Sequence, residues 1–407
     1  MNGREFPYET VRDIDVADKR ILMRADYNVP LANGQIADDF RIAASLPTLN
    51  YLIQKGAKIV LISHLGRPDG EVNPEFSLRP VAQNLAEKLG REVEFVDDCV
   101  GEKVRDATEK MNSGDVILLE NLRFHAEEEQ NNSDFAKSLA DDSRAEIFVQ
   151  DGFGVVHRAH VSTEAITHFL PSVAGLLLEK EFVAIKSATD DPNRPLTAIL
   201  GGAKISDKIP LVKKFVDIAD AVVVGGAMAN NFLKYLGFNV GASLVEDGQD
   251  DIIREILDAA HAKFGADFDD KFILPRDVAV AHDAAEQREE MPLDAMTDEL
   301  KILDLGAETI DKICEIIRGS GTVIWNGDLG IDSTPQFSRA SSRAALELAK
   351  NPHIVSVIGG GDTADFVRNW DALKGGSFTH VSTGGGASLE LMAGEILPGI
   401  AALKPRE

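Results

Sequence analysis

The chain has 407 residues, too many for one ordinary hydrophobic core, so two domains are the expected division. Apolar residues make up 44% of it, enough to fill such cores, yet no apolar run is long enough to predict a membrane span. Acidic residues number 67 against 42 basic ones, a net charge of −25, which disfavours nucleic acid and anionic membranes as partners.

The acidic positions are scattered in short clusters such as Asp141-Asp142, Asp190-Asp191, Asp269-Asp270 and Glu289-Glu290, not gathered into a tail. A surface of this kind stays soluble in molar salt, where the screening length shrinks to roughly 3 Å. A halophilic, salt-accumulating cytoplasm is the expectation, and an ordinary acidic cytosolic enzyme the alternative. The start MNGREFPYET lacks the basic-then-apolar pattern of a signal peptide. Cys99 and Cys314 stand far apart without a CxxC, so neither a zinc site nor a disulfide framework is indicated. Both features suit a cytoplasmic location.

In chain order, short apolar runs alternate with amphipathic stretches, the pattern of parallel sheets wrapped by helices. Strands are predicted at 20–25, 58–63, 93–96, 116–120 and 146–150, then at 196–200, 221–225, 271–274, 322–325, 354–358 and 378–382. Helices are predicted at 78–89 and 251–263. The stretch PSVAGLLLEKEFVAIKSA reads as one helix opened by Pro171. The turn-rich DDPNRP follows it. The predicted fold is therefore α/β, with two doubly wound parallel-sheet lobes joined by a helix hinge. The expected division is 1–175, a linking helix at 176–195, a second lobe at 196–385, and a C-terminal helix and tail at 386–407.

Ligands of open α/β sheets bind beyond the carboxyl ends of the strands. In the first half those ends carry Asp26-Tyr27-Asn28 with Arg41 further along, then His64-Leu65-Gly66-Arg67, then Asn121 to His125 including Arg123, and finally His157-Arg158-Ala159-His160. One loop arginine is usually a solvated charge. Four at successive strand ends predict a basin for a small, multiply anionic molecule, because crowded guanidiniums repel without an anion. His64 reads either as a ligand contact or as a core histidine bonded to backbone.

In the second half the strand ends carry glycine: Gly201-Gly202-Ala203-Lys204, Gly225-Gly226, Asn326-Gly327, Gly359 to Thr363 and Gly384-Gly385-Gly386. Glycine lets backbone N–H groups approach a phosphate, and a following helix adds its positive end. With Lys204 and Lys208 nearby, five such turns predict a nucleotide, although neither GxGxxG nor a Walker A pattern is present. Asp362 is placed to hold Mg²⁺ or, alternatively, to cap a helix.

Taken together, Arg24-Ala-Asp-Tyr-Asn-Val-Pro30, Ser63-His-Leu-Gly-Arg-Pro68, Glu120-Asn-Leu-Arg-Phe-His125, His157-Arg-Ala-His160, Gly201-Gly-Ala-Lys-Ile-Ser-Asp-Lys208, Gly359-Gly-Gly-Asp-Thr363 and Ser382-Thr-Gly-Gly-Gly-Ala-Ser-Leu-Glu390 resemble phosphoglycerate kinase, in order and across nearly the whole chain. The resemblance implies reversible phosphoryl transfer from 1,3-bisphosphoglycerate to ADP, giving 3-phosphoglycerate and ATP in glycolysis or gluconeogenesis. It implies substrate contacts from Asp26, Tyr27, Asn28, Arg41, His64, Leu65, Gly66, Arg67, Arg123 and Arg158. Nucleotide contacts would come from Lys204, Lys208, Asn326, Gly360, Gly361, Asp362, Thr363, Gly384 and Gly385, with Mg²⁺ on Asp362. Arg41 and Lys204 are the expected catalytic charges, no general base is required, and the lobes would close to align the ligands. A monomer is expected, with a homodimer as the alternative.

Two stretches depart from the family pattern. Where the family usually reads Trp-Asn-Gly-Pro-x-Gly-x-Phe-Glu, its Glu on the ribose, this chain has Ser333, with Asp332 as the candidate stand-in. A glycine usual before Leu-Asp is replaced by Ile302. Rival expectations are a non-catalytic nucleotide-binding protein disabled at 325–333, and an NAD-dependent dehydrogenase.

Overall fold

The computed structural model describes residues 5–406. Two compact units divide the chain: Ala184–Glu395 is one, and Glu5–Val183 with the C-terminal stretch from Ile396 is the other.

The unit that begins the chain is built on six strands, β1 (Arg20–Arg24), β2 (Lys58–Ile62), β3 (Glu94–Val96), β4 (Val116–Leu119), β5 (Ile147–Gln150) and β6 (Ser172–Ala174). They pair in parallel in the order β3-β4-β2-β1-β5-β6. Runs such as ILM and IVLI are apolar throughout because helices cover both sheet faces. The pleat sorts them: Ile21, Met23, Ile59 and Leu61 enter one core, while Leu22, Val60 and Ile62 enter the other. The helix Arg79–Leu89 buries Val81, Ala82 and Leu85 and stops at Gly90, whose φ of 62° is left-handed.

The single helix expected from Pro171 is instead β6 followed by the helix Leu176–Asp190. The cause is pairing: Ser172–Ala174 completes the sheet against β5, and Gly175 turns the chain. A Cβ there would lie 2.0 Å from Asp151 Oδ1.

The second unit has a parallel sheet of β7 (Leu196–Leu200), β8 (Ala221–Val224), β9 (Phe272–Ile273), β13 (Thr322–Asn326), β14 (Val355–Gly359) and β15 (His380–Val381). Its order is β9-β8-β7-β13-β14-β15. Sequence reading missed a three-stranded antiparallel sheet between β9 and β13, formed by β10 (Asp277–Ala281), β11 (Glu289–Pro292) and β12 (Lys301–Leu305). Arg288 fastens it, with Nη1 2.7 Å from Asp304 Oδ2 and Nη2 donating to Leu305 O at 2.7 Å.

The helix Gly386–Ala393, expected in the tail, belongs to this second unit. The chain after it packs on the first unit. Gly399 N donates to Val156 O, Lys404 N to Ser172 O, and Glu9 N to Lys404 O. No helix among the described residues is long and apolar enough to cross a membrane.

Candidate functional site

In the first unit, the loops leaving β1, β2, β4 and β5 carry the basic residues. His64 follows β2 and is buried. Burial holds its imidazole well below the usual range, and Arg24, Arg123, Arg41 and Arg158 push the same way. Arg123 is in turn repelled by Arg158 and Arg67. The four arginines expected to converge are thus close enough to act on one another or on His64. His160 is pulled down to about 4 by burial and then by Arg123, Arg24 and Arg158.

Counter-contacts hold this charge in place. Arg41 Nη1 meets Asp26 Oδ2 at 3.1 Å, and Arg123 Nη2 meets Glu129 Oε1 at 2.8 Å. Asn28 Oδ1 accepts from Gly66 N at 2.9 Å, and Gly66 O accepts from Arg123 Nη1 at 2.8 Å. Glycine is required at Gly66: its φ is +62°, and a Cβ would meet the Phe76 ring at 2.3 Å. Arg67 and Arg158 are exposed.

Two expected contact residues point elsewhere. Tyr27 is fully buried in the core, with its hydroxyl 3.0 Å from Ser45 Oγ, and Leu65 is buried in the same core. Both side chains pack in that core, so any contact of these residues with a ligand would come from their backbone. Conversely, Arg24 and Glu128 were missed. Arg24 closes an apolar strand, and Glu128 lies in a Glu-Glu-Glu run that reads as solvated surface.

In the second unit, a cavity of about 1120 Å³ opens at the carboxyl ends of β7, β8, β13 and β14. Lys204, Lys208, Asn326, Gly360, Gly361, Asp362, Thr363 and Gly385 all line it. Gly384 does not; it is buried, and its N–H donates to Ser382 Oγ at 3.1 Å. Lys208 Nζ donates to Asn326 Oδ1 at 2.7 Å, and burial draws its ammonium down to about 8. Gly327 permits this approach: its φ is +98°, and a Cβ would lie 2.2 Å from Lys208 Nζ.

Asp362 sits in the first turn of the helix Gly361–Trp370, whose N-cap is Gly360, so it is not the cap. Its carboxylate lies near enough to Lys208 to act on it. No cluster of three or more His, Cys, Asp or Glu among the described residues forms a metal cage. Asp362 is a hard carboxylate on a cavity that Lys208 and Asp328 also line, a donor set that fits Mg²⁺ once phosphate oxygens supply its other ligands.

The far wall carries Ile302, Leu303, Leu305, Ser333 and Asp332. Both Asp332 oxygens are shielded from solvent, and burial together with Asp328 raises its carboxyl to about 8. A carboxyl kept neutral beside another carboxyl is a poor substitute for an open carboxylate. Asp304 is likewise engaged, by Arg288 and by Arg339 N at 2.9 Å.

Comparison with known proteins agrees with this geometry. The family model described as phosphoglycerate kinase matches residues 11–395. A phosphoglycerate kinase of Pelotomaculum thermopropionicum is 46% identical over 97% of this chain and 98% of its own, and one of Moorella thermoacetica is 43% identical over the same shares. The solved phosphoglycerate kinase of Coxiella burnetii superposes with a TM-score of 0.85 at 35% identity, covering 97% of this chain and 98% of that one. That of Pyrococcus horikoshii gives 0.83 at 30% identity over the same shares. With an arginine basin in one unit and a glycine-walled cavity in the other, the chain belongs to the phosphoglycerate kinase family.

Proposed function

We propose that the chain catalyses the family's reaction, moving a phosphoryl group between the acyl phosphate of 1,3-bisphosphoglycerate and ADP, with the acid in the basin and the nucleotide in the cavity. The observation that carries this reading is His64 set among Arg24, Arg41, Arg123 and Arg158, a concentration of positive charge that calls for an anion. Asp26, Asn28, Gly66 and Arg67 complete the substrate side. On the nucleotide side, Lys204, Lys208 and the amides of Gly360, Gly361 and Gly385 meet the phosphates.

Both nucleophiles, a carboxylate and a nucleotide phosphate, are already anionic near neutral pH, so the protein supplies charge and alignment in place of a base. Arg41 and Lys204 neutralise the equatorial oxygens. Asp362 would hold Mg²⁺, which when bound would offset the negative charge of the nucleotide phosphates. The enzyme acts as a monomer in a salt-rich cytoplasm, the last point resting on its net charge of −25.

A coupled assay for ATP formed from 1,3-bisphosphoglycerate and ADP, run from low to molar KCl, tests the reading. Activity that rises with salt is expected. Absence of ATP at every salt concentration, with nucleotide binding intact, would leave a non-catalytic binding protein.

A further inference from the structure

Arg24 is buried, yet it lies outside the set of residues that the strand-end pattern selects. Its guanidinium is tied on every edge. Nε donates to Ser162 Oγ at 2.8 Å, Nη1 to Ser63 Oγ at 3.1 Å and to Ala25 O, and Nη2 faces His64 Nδ1 at 3.0 Å. Ser162 passes the connection on. Its hydroxyl donates to Glu128 Oε1 at 2.5 Å, while its N–H donates to Oε2 at 3.1 Å. Glu128 is buried; burial raises its carboxyl, while Arg24 and the two bonds from Ser162 pull it back toward the charged form.

Hydrogen-bond chemistry leaves one assignment. A guanidinium has donors and no acceptor, so the nitrogen it faces must be the acceptor. His64 Nδ1 is therefore unprotonated, and the ring proton of the neutral imidazole lies on Nε2. Adding a proton at Nδ1 would set donor against donor, within reach of four guanidiniums. Nε2 has no hydrogen-bond partner among the described residues, nor is it one of their enclosed unpartnered atoms. We propose that Arg24, anchored through Ser162 to Glu128, is a positioning residue that fixes His64 as the Nε2–H tautomer and so presents one uncharged donor to the anionic substrate.

This inference rests on the basin reading and sharpens it. The arginines supply charge, which attracts any anion. A neutral N–H of fixed direction supplies orientation without adding to their mutual repulsion. The Glu128 carboxylate compensates Arg24 internally through Ser162, so Arg24 is spent on holding His64 and not on substrate.

The direct test is a long-range proton–nitrogen correlation spectrum of the whole enzyme labelled with ¹⁵N-histidine. His64 is assigned by its loss in His64→Gln, and spectra are recorded from pH 5.5 to 8 with and without 3-phosphoglycerate. The expected result is an unprotonated Nδ1 and a protonated Nε2 throughout, with Nε2 shifting on ligand addition. A protonated Nδ1 at pH 7 would overturn the proposal. The double variant Arg24→Met/Glu128→Gln removes both buried charges together. It should let His64 titrate and raise KM for 3-phosphoglycerate about tenfold, the worth of one good hydrogen bond, with a smaller change in kcat. His64→Leu should raise KM more than His64→Gln. If the double variant does not fold, the wild-type spectrum decides alone. The basin reading fails separately, if 3-phosphoglycerate moves none of the His64, His157 and His160 signals while the tautomer pattern stands.

Discussion

Arg41 Nη1 lies 3.1 Å from the Asp26 carboxylate and 3.1 Å from the Asn28 carbonyl oxygen, so its guanidinium is held in place before any substrate anion arrives. A charge already positioned needs little reorganisation as the transferring phosphoryl group develops negative charge. Arg41→Ala and Lys204→Ala should each lower kcat by about 10²-fold or more, the usual loss of one key stabiliser. Steady-state rates with both substrates saturating provide the check. A mutant with near-normal kcat would remove that residue from the chemistry.

If Lys208 meets the nucleotide phosphates as proposed, it should set a pH dependence on nucleotide binding. Burial draws its ammonium down to about 8, against the opposing pull of Asp328, Asp362 and Asp207. Below that value the lysine is charged and attracts phosphate; above it the free enzyme loses the charge. ADP affinity should therefore be flat below pH 8 and weaken by up to about tenfold per pH unit above it. Lys208→Arg, which stays protonated, should abolish the break. Calorimetric titrations between pH 6.5 and 9.5 would show whether the break exists.

The nucleoside end of the cavity should discriminate weakly. Ser333 lines the wall where a carboxylate would grip the ribose, while Asp332 is shielded from solvent with its carboxyl raised to about 8 and Asp304 is engaged by Arg288. We expect 2′-deoxy-ADP to be used within a few-fold of ADP, and Ser333→Glu to widen that gap by strengthening ADP binding. A strong preference for ADP in the unaltered enzyme would show that another group reads the sugar.

Asp151 lies beneath the start of the helix Leu176–Asp190, its Oδ1 accepting from Leu177 N at 2.9 Å. Burial outweighs these contacts and lifts its carboxyl to about 7. An unfolded aspartate ionises near 4, so between about pH 4 and 7 the folded state retains a proton that the unfolded chain releases. The contribution of this group to stability falls across that window as pH rises. Asp151→Asn keeps an acceptor for the amide and should raise Tm at pH 8 while changing it little at pH 4. An equal shift at both pH values would assign the effect to packing.

What the sequence makes legible is governed by contrast. Apolar runs ending in arginine or glycine stand out, so both parallel sheets and most lining residues can be read directly. Arg24 escapes because a strand-terminal arginine after ILM looks like the end of a core run. Its role emerges only when Ser162 and His64 come alongside from distant segments. Glu128 is hidden between Glu127 and Glu129 in an acidic chain where such clusters are common. The sheet of β10, β11 and β12 is masked because strands such as EEMP and KILDL face outward on one side. Tyr27 and Leu65 show the converse: a motif groups them with the lining residues, while their side chains pack in the core.

The N-terminal unit is stitched shut by the end of the chain, where Lys404 Nζ reaches Glu9 Oε1 at 2.7 Å across 395 positions of sequence. During synthesis the stretch from Ile396 therefore reaches the Glu5–Val183 unit only after the intervening Ala184–Glu395 unit has been made. Breaking the contacts made by the stretch from Ile396 would thus fall on the unit synthesised first and leave Ala184–Glu395 untouched.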